Sequence, residues 1–579
     1  MSSPDLHTPA RRHHAHGGQA AEFHFADVLE TIACDRPALP ALISGEVVRS
    51  WGEFDDRASR LAGVLHQAQL SRHGAVGICL RNCNEYLESY FATLKVRGVP
   101  ISINYRYAEE ELASLLQGSD CEVLVFGAAF AERILAIIDR IPSLSLLLMV
   151  QDGTEGGISS LPPGVLDYED ALAAVAPMTP VERSGDDPLV VYTGGTTGLP
   201  KALTYPMRSR VQGRVGEFAR LVGLDDPGAS SFAAAAEALA VRGASPVGLP
   251  ASPLMHNAAL VTCALPTLLL GGTVVTVPTP GFEAAAIWNA VVHRSATSMT
   301  IVGDAMGRPL LQALEDRIRR GEQSPTSLKT ITSTGMAWNS ATKAGLLAHS
   351  PQLRLVEVFG ATEGLMGMNI CTAQTANPSS PRFTPVAGLR TLDDDFTDTA
   401  PGEPGRIAFP VADDVCYRDD PQKTAETFRV IDGRRYAVLG DLGRLLTDGR
   451  LEPLGRGGQV VNTGGEKVFP AEVEDVIRSL DAITDCLVVG VPDPRWGQRL
   501  VAVVSRKDDT LSGDDIRTAI RSRLAGFKVP KDVLFIPVVP RFPNGKPDLL
   551  QATHIAQAAT VNGGPTDSES LPIRRIDHE

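Results

Sequence analysis

Short apolar runs rich in β-branched residues alternate with stretches of helical periodicity along the first two thirds of the chain. Such runs are typical of buried strands, and the helical spacing indicates helices that pack on them. The predicted strands are Ala75–Cys79, Val123–Phe126, Leu146–Val150, Leu189–Tyr192, Thr273–Val277 and Leu355–Phe359. The predicted helices are Ser50–Gln67, Asn84–Arg97, Ala108–Gln117 and Ser340–His349. This alternation predicts an α/β fold of layered sheets and helices.

Two regions interrupt the alternation, and a second unit follows them. Asp225–Pro250 is rich in Ala, Gly and Ser, which predicts an insertion or a mobile loop. Pro378–Gly405 is rich in Pro, Asp and Thr, which predicts a long irregular connection. The later unit has the size of a small α+β domain. Its predicted elements are strands at Cys486–Val491, Leu500–Val504 and Val533–Pro537 and helices at Ala471–Leu480 and Ser512–Leu524.

One apolar stretch, Ala258–Val277, has the length of a membrane span, because a lipid-exposed helix needs about 20 apolar residues. The pair Gly271-Gly272 breaks this stretch, since Gly-Gly is a strong turn signal. We therefore favour a buried helix near Ala258–Leu270, a turn, and a strand at Thr273–Val277, and we expect no membrane span.

Composition and charge narrow the class of protein. Hydrophobic residues make up 43% and charged residues 21% of 579 residues, which excludes a wholly disordered or fibrous chain. Lys plus Arg number 54 and Asp plus Glu 68, a net charge of −14, which argues against general nucleic-acid binding. A small anionic ligand held by a few local cations and N–H groups stays compatible with this charge.

The cysteines and the chain ends indicate a cytoplasmic protein. The 8 cysteines are scattered without a CxxC pair, which favours reduced thiols over a disulfide frame or a zinc cluster. The N-terminal stretch carries several histidines but no apolar segment, so we interpret it as a flexible polar extension and not as a secretory signal.

A loop rich in glycine and threonine directly after the strand Leu189–Tyr192 is the most informative stretch of the chain. It reads Thr193-Gly194-Gly195-Thr196-Thr197-Gly198-Leu199-Pro200-Lys201. The glycines let the backbone turn and expose N–H groups, while the hydroxyls and the lysine add donors, so the loop predicts polyphosphate binding. It is neither a Walker A loop nor a G-x-G-x-x-G loop. The alternative is a plain turn between strand and helix.

This loop resembles the phosphate loop of the adenylate-forming superfamily, which includes acyl-CoA synthetases, adenylation domains and luciferases. The resemblance implies that Thr193, Gly194, Gly195, Thr196, Thr197, Gly198 and Lys201 bind the phosphates of ATP. It also makes Thr196 a candidate ligand of Mg²⁺. The family loop ends Pro-Lys-Gly, whereas Ala202 follows Lys201 here. That difference is tolerated unless a positive φ is required at this position.

The resemblance predicts further motifs downstream, and the first is Phe359-Gly360-Ala361-Thr362-Glu363-Gly364. It is similar to the family's aromatic-Gly-x-Thr-Glu motif, which implies that Phe359 stacks on adenine and Gly360 lies beside the nucleotide. Thr362 would approach the α-phosphate, and Glu363 would hold Mg²⁺, for which a carboxylate is a suitable hard ligand. The alternative is a glycine turn with a solvated glutamate.

Two later motifs resemble the family's ribose site and hinge. Asp441, after Gly440, would accept hydrogen bonds from the ribose hydroxyls, and Arg456 would contact ribose or phosphate. The hinge position, usually Asp or Lys, is Gly458 here, and glycine can absorb a large backbone rotation. The pair Gly464 and Gly465 would form part of the thiol-entry site after the domains rotate.

The last motif is Pro543-Asn544-Gly545-Lys546-Pro547-Asp548, which resembles the C-terminal Gly-Lys motif. The resemblance makes Lys546 the cation that closes over the first half-reaction, although Leu549 stands where a basic residue is common. Gly335 lies in a run of small residues that the family places against adenine. His256 ends a run near the predicted acyl pocket, and it is equally compatible with a role as a core histidine.

The resemblance covers roughly Phe23 to Gln551 and implies an AMP-forming acyl-CoA ligase, similar to actinobacterial fatty-acid and steroid-side-chain CoA ligases. Its substrates would be a small hydrophobic carboxylic acid, ATP with Mg²⁺, and CoA. The implied domains are a flexible extension (1–22), an AMP-binding N-terminal domain (23–456), a mobile C-terminal domain (457–556) and a flexible tail (557–579). The oligomeric state is left open.

Three alternatives stay open at this stage. An amino-acid adenylation domain usually carries an aspartate at the start of its pocket, and the run Ala251–Asn257 contains no acid, which favours an uncharged acyl group. The acceptor of the second step could be a carrier protein instead of CoA. The chain could also be a non-catalytic nucleotide-binding homologue, although Glu363, Asp441, Arg456 and Lys546 together supply the expected roles.

Overall fold

Helices and strands alternate through the computed structural model, which describes residues 23–152, 161–193, 201–336, 338–375, 382–456, 459–463, 466–493, 497–524, 526–542 and 545–561. The helices are α1 (Phe25–Asp35), α2 (Trp51–Gln67), α3 (Asn84–Lys95), α4 (Glu109–Gly118), α5 (Ala131–Leu135), α6 (Tyr168–Ala173), α7 (Arg208–Val211), α8 (Val215–Leu221), α9 (Phe232–Val241), α10 (Leu265–Leu269), α11 (Ala284–His293), α12 (Gly303–Arg319), α13 (Ser340–His349), α14 (Pro421–Thr427), α15 (Pro470–Arg478), α16 (Gly513–Arg521) and α17 (Leu549–Val561).

The strands are β1 (Pro40–Ser44), β2 (Val47–Ser50), β3 (Ala75–Cys79), β4 (Val99–Ser102), β5 (Cys121–Gly127), β6 (Leu146–Val150), β7 (Val165–Asp167), β8 (Pro188–Thr193), β9 (Lys201–Pro206), β10 (Val247–Pro250), β11 (Thr273–Thr276), β12 (Ser298–Ile301), β13 (Thr330–Thr334), β14 (Arg354–Ala361), β15 (Gly364–Cys371), β16 (Thr384–Pro385), β17 (Arg390–Leu392), β18 (Gly405–Pro410), β19 (Cys416–Tyr417), β20 (Phe428–Ile431), β21 (Arg434–Leu445), β22 (Leu451–Arg456), β23 (Val461–Thr463), β24 (Glu466–Val468), β25 (Ile483–Asp493), β26 (Gly497–Arg506) and β27 (Asp532–Phe535).

The large N-terminal part contains two largely parallel sheets, besides the antiparallel sheets β17-β18-β21-β20, with β22 on β21, and β19-β9-β8. One has nine strands in the order β16-β15-β14-β13-β12-β10-β11-β1-β2, parallel from β14 to β1 and antiparallel at its edges. The other is the parallel sheet β4-β3-β5-β6-β7. Every residue of β3 is buried, as expected for a parallel strand covered on both faces.

Helices α2 and α3 pack where the two sheets meet. A capping box starts α2: the Glu53 N–H donates to Ser50 Oγ at 3.2 Å, and the Ser50 N–H donates to Glu53 Oε2 at 2.7 Å. Trp51, Phe54 and Phe91 lie in a hydrophobic cluster that also contains side chains from both sheets. The apolar faces of the helices therefore join the sheets into one core.

The C-terminal part is a smaller α+β unit built on the sheet β24-β23-β26-β25, with β27 paired to β26. Along β26, Leu500, Ala502 and Val504 pack in one hydrophobic cluster with α15 and α16. The alternate residues Val501 and Val503 pack in a second cluster with α17. The period of two therefore covers both faces of this sheet.

The predicted fold class, a large α/β part with a smaller α+β part, is confirmed, and the predicted strands and helices recur with shifts at their ends. The stretch 258–277 divides as expected into helical turns, a Gly-Gly turn and β11. In the described part of the chain, no helix combines the length and apolar character needed to cross a membrane.

The prediction of an insertion or mobile loop at Asp225–Pro250 is wrong. The segment contains α9 and β10, and Phe232 and Leu239 of α9 are buried. Alanine is the best helix former, so the alanine run supports a helix and not a loop. Pro378–Gly405 is mostly irregular where the structure describes it, with short strands β16 and β17. Helix α17 extends past position 556 into the predicted tail.

Candidate active site

The carboxyl ends of β13 and β14 bring the predicted adenine-binding segments together. These strands are parallel neighbours, with Thr334 opposite Val358, so Gly335 after β13 lies beside Phe359 and Gly360 in β14. Gly335 has φ +83°, a conformation that L side chains rarely adopt. A Cβ on Gly360 would lie 2.9 Å from the Gly364 carbonyl oxygen, which is too close for a side chain. The backbone therefore favours glycine at both positions. Ligands of open α/β sheets bind at such carboxyl edges.

Phe359 is half-buried and has a fixed neighbour. Its ring centroid lies 5.3 Å from that of Phe383, with 39° between the ring planes. It packs against a hydrophobic cluster that contains Phe409 and Tyr417. The orientation of this ring is therefore set by aromatic packing, as a stacking surface for a base requires.

Thr362 and Glu363 form the tight turn between β14 and β15, where Ala361 pairs with Gly364. Two tyrosines from β9 and β19 hold this turn. The Tyr205 hydroxyl donates to the Thr362 carbonyl oxygen, and the Tyr417 hydroxyl donates to Glu363 Oε1. The pKa of the Tyr205 hydroxyl is raised to about 12, because burial raises it by more than the positive charge of Arg210 lowers it.

Tyr417 stays protonated and therefore acts as a donor. Burial raises the pKa of its hydroxyl well above the usual range, and the hydrogen bond to Glu363 and that carboxylate's charge raise it further. Sequence reasoning missed Tyr205 and Tyr417, because neither lies in a motif. Only the pairing of β19 with β9 brings Tyr417 to the Thr362–Glu363 turn.

The predicted phosphate loop starts and ends next to this turn. Strands β8 and β9 form a hairpin in which Thr193 is paired with Lys201, and Gly194–Pro200, which include Gly195, Thr196, Thr197 and Gly198, lie outside the described residues. Lys201 Nζ lies 3.5 Å from Asp420 Oδ2 and 6.0 Å from the centre of the Tyr417 ring. Tyr417 thus contacts Glu363 and lies near Lys201, which places the lysine and the carboxylate in one region.

The predicted ribose site lies on a hairpin. Strands β21 and β22 are antiparallel, and their register sets Asp441 opposite Arg456. Gly440, directly before Asp441, has φ +85°. Pairing across this hairpin therefore brings together the backbones of two residues that belong to different motifs. Gly464, Gly465 and the hinge position Gly458 lie outside the described residues.

His256 is half-buried in the N-terminal part of the chain. His256 ends a short 3₁₀ turn, Leu254–His256, and its Nε2 is buried with no hydrogen-bond partner among the described residues. Burial, together with the positive charges of Arg106 and Lys546, lowers the pKa of His256 to about 4. A neutral imidazole with a buried nitrogen lacks the partner expected of a structural core histidine.

The loop that carries Lys546 is docked on the N-terminal part. The Phe542 N–H donates to the Lys546 carbonyl oxygen at 2.9 Å, and the Gly545 N–H donates to the Phe542 carbonyl oxygen at 2.8 Å. Gly545 has φ +81°, and a Cβ there would lie 2.7 Å from Met336 Sδ. The C-terminal lysine therefore reaches the segment that follows Gly335.

The donor set around Glu363 is compatible with Mg²⁺. Among the described residues, no group of three or more His, Cys, Asp or Glu side chains is placed to hold a metal ion. A single carboxylate in a polar turn is the arrangement in which Mg²⁺ keeps waters and phosphate oxygens as its other ligands. Glu363 meets this requirement, and the predicted second ligand Thr196 lies outside the described residues.

The family of this chain follows from its match to a known protein family. The profile of the AMP-binding enzyme family matches residues 29–410. The chain belongs to the AMP-binding enzyme family. A second profile, that of the AMP-binding enzyme C-terminal domain, matches residues 472–546 and includes Lys546. The adenylate-forming relationship predicted from the motifs is therefore confirmed.

Curated relatives support the predicted branch of the AMP-binding enzyme family. The chain is 33% identical over 550 residues to a medium/long-chain-fatty-acid–CoA/3-oxocholest-4-en-26-oate–CoA ligase of Mycobacterium marinum, covering 93% of this chain and 98% of the relative. It is also 33% identical over 538 residues to a 3-oxocholest-4-en-26-oate–CoA ligase of Rhodococcus rhodochrous, covering 91% and 94%. The predicted similarity to actinobacterial fatty-acid and steroid-side-chain CoA ligases is confirmed.

Solved structures of AMP-binding enzymes share the fold. An anthranilate CoA ligase in complex with anthranoyl-AMP superposes with a TM-score of 0.78 at 19% identity, covering 94% of this chain and 98% of that chain. ATP-bound MatB from Rhodopseudomonas palustris superposes with a TM-score of 0.72 at 22% identity, covering 92% and 99%. At these identities the likeness concerns the fold alone.

Proposed function

We propose that this protein is an AMP-forming acyl-CoA ligase that activates a hydrophobic carboxylic acid with ATP and transfers the acyl group to CoA. The observation that carries the proposal is the docking of the loop that holds Lys546, on the C-terminal part, against the N-terminal part, where a Cβ on Gly545 would lie 2.7 Å from Met336 Sδ. It supports a site closed by two parts of the chain around the acid. The names of the relatives favour a fatty acid or a steroid side chain as that acid.

The first step is the attack of the acid's carboxylate on the α-phosphate of ATP, giving acyl-AMP and pyrophosphate. The carboxylate is already ionised, so the step needs no general base. Its difficulty is that one anion must approach another. Lys201 and Lys546 offset this repulsion by stabilising the charge that develops at the α-phosphate, and Thr362 lies beside it.

We assign Glu363, with Thr196, to Mg²⁺. The bound ion would neutralise phosphate charge and polarise the phosphoryl group. Tyr417 would hold the Glu363 carboxylate in orientation through its hydrogen bond to Oε1. Phe359, Gly335 and Gly360 would bind adenine, while Asp441 and Arg456 would bind ribose.

In the second step the CoA thiol displaces AMP from acyl-AMP. We infer that this step uses another face of the C-terminal domain, which carries Gly464 and Gly465, and that the domain rotates about a hinge near Gly458. The domain limits 23–456 and 457–556 stay part of this proposal. The scattered cysteines, without a CxxC pair, support a reducing, cytoplasmic location.

A neutral acyl group is favoured over an amino acid. The run Ala251–Asn257 that leads to His256 contains no carboxylate to pair with an α-ammonium group. The apolar side chains of Leu254 and Met255 in this run are buried. An apolar segment next to a neutral imidazole suits a hydrophobic acid.

The decisive experiment measures pyrophosphate release on adding ATP, Mg²⁺ and one of a panel of acids. The panel contains octanoate, palmitate, 3-oxocholest-4-en-26-oate, benzoate and an amino acid. Release with one of the hydrophobic acids, followed by acyl-CoA formation when CoA is added, is the expected result. Release only with the amino acid, or product only on a carrier protein, would favour an adenylation enzyme. No release with any acid would support a non-catalytic homologue.

A further inference from the structure

Two side chains of the N-terminal part donate hydrogen bonds to the backbone of the C-terminal part. Arg308 of α12 donates from Nη1 to the Thr484 carbonyl oxygen at 2.5 Å. Asn339 donates from Nδ2 to the Arg478 carbonyl oxygen at 2.8 Å. Arg478 ends α15 and Thr484 lies at the start of β25, so both bonds hold one corner of the C-terminal unit.

One carboxylate, that of Asp304, positions both donors. Arg308 Nε lies 3.3 Å from Asp304 Oδ2, and the Asn339 N–H donates to Asp304 Oδ1 at 3.2 Å. Asn339 Oδ1 in turn accepts from the Ala341 N–H at 2.7 Å and so caps α13. Each donor is therefore held in place before the C-terminal unit docks, which lowers the entropy lost on docking.

A second ion pair connects this corner to the loop of Lys546. Asp485, which follows Thr484, accepts from Arg541 Nε at 2.6 Å and from Arg541 Nη2 at 2.8 Å. The remaining nitrogen, Nη1, donates to the Gly545 carbonyl oxygen at 3.1 Å. A bidentate guanidinium–carboxylate pair fixes direction as well as distance, so the loop follows the orientation of β25.

We propose that Asp304, Arg308 and Asn339 form a dock that holds the C-terminal domain in the orientation in which the Lys546 loop packs against Met336. We further propose that Arg541 transmits this orientation to Lys546. These are positioning residues, and the inference rests on the proposed function, in which Lys546 acts in the first step. The dock contacts belong to that orientation and break when the domain rotates, so they favour acyl-AMP formation and not thioester formation.

The test compares the two half-reactions in Arg308→Ala. One assay follows pyrophosphate release with octanoate, or with the panel acid that the wild type converts fastest, and the other follows conversion of the corresponding acyl-AMP to acyl-CoA. We expect the first rate to fall about tenfold, the scale of one lost hydrogen bond to a charged group, and the second to change less than about twofold. Arg319→Ala on the same helix is the matched control, since among the described residues Arg319 forms its ion pair within α12, with Asp316. Equal loss in both half-reactions, or no loss in the first, would overturn the proposal.

Asn339 separates docking from helix capping. Asn339→Asp keeps an oxygen that caps α13 but lacks the amide donor to Arg478, whereas Asn339→Ala lacks both. We expect both variants to slow acyl-AMP formation, with a lower melting temperature in Asn339→Ala alone. If Asn339→Asp matched the wild type in the first step, the assignment of Asn339 to the dock would be wrong.

A double variant distinguishes failure of the dock from failure of the proposed function. If Lys546→Ala alone does not slow acyl-AMP formation, the role proposed for Lys546 is wrong whatever the dock does. If Lys546→Ala slows the step, adding Arg308→Ala should slow it no further, because the dock acts through Lys546. Independent, multiplying losses in the two variants would overturn the dock and leave the proposed function standing.

Discussion

The Tyr417 hydroxyl donates its hydrogen bond to Oε1 of Glu363, and this contact fixes the carboxylate that we assign to Mg²⁺. Glu363 lies in the turn between β14 and β15, whereas Tyr417 lies in β19, which pairs with β9. A protonated phenol next to a carboxylate restricts its rotation without neutralising it.

Tyr417→Phe should therefore weaken the binding of Mg²⁺ without disturbing the fold. The ring, which packs against Phe428 with 5.5 Å between centroids, is retained, and only the hydroxyl is lost. We expect the Mg²⁺ concentration needed for half-maximal pyrophosphate release to rise about tenfold, the scale of losing one residue that orients a metal ligand. The measurement is a Mg²⁺ titration of that release. An unchanged Mg²⁺ requirement would contradict the role given to Tyr417.

Gly545→Ala should slow acyl-AMP formation by displacing the Lys546 loop. The residue has φ +81°, and an added Cβ would lie 2.7 Å from Met336 Sδ. Gly164→Ala is the matched control, because Gly164 has φ +80° but nothing within 4 Å of the added Cβ. Both variants carry the backbone strain of about 1–2 kcal/mol, but only Gly545→Ala should lose activity in the first step. Equal activities in the two variants would show that the contact with Met336 is unimportant.

The motif residues and the sheet layers could be predicted from the sequence because both depend on local order along the chain. A buried apolar run such as Ala75–Cys79, or the motif Phe359–Gly364, can be recognised in the sequence without knowledge of tertiary contacts. The roles of Tyr205 and Tyr417, and the bond from Arg308 to Thr484, could not be predicted, because they depend on which strands and helices become neighbours. The alanine-rich segment around α9 forms a helix and not the predicted loop, because alanine has the highest helix propensity.

Protonation of His256 should reduce stability in acid. Burial lowers its pKa from 6.5 to about 4, so between these values the unfolded chain binds a proton at this position and the folded protein does not. Its contribution to stability is therefore complete above pH 6.5 and falls as the pH drops towards 4. Urea unfolding at pH 7 and pH 5 should show a smaller loss on acidification in His256→Gln than in the wild type. An equal loss in both proteins would contradict a neutral, buried His256.

Glu88 should be a major determinant of stability in the N-terminal domain. Its side chain is fully buried, and it accepts from Arg57 Nε at 2.8 Å and from the Tyr168 hydroxyl at 3.0 Å. Glu88→Ala removes the buried partner of Arg57, whose side chain is 15% exposed and keeps its pair with Glu169, and should lower the free energy of unfolding by about 3 kcal/mol. Glu169→Ala is the matched control: its carboxylate pairs with the same Arg57 but is 56% exposed, so we expect a loss below about 1 kcal/mol. Chemical unfolding measures both, and similar losses would refute the importance of burial here.

We propose that Lys546, on the C-terminal domain, closes over the first half-reaction. Both half-reactions should therefore be measured in Lys546→Ala. We expect acyl-AMP formation, followed as ATP–pyrophosphate exchange, to fall by about 10²–10³, the scale of removing one group that stabilises transition-state charge, while supplied acyl-AMP is still converted to acyl-CoA. Unchanged exchange together with failed conversion of supplied acyl-AMP would contradict it.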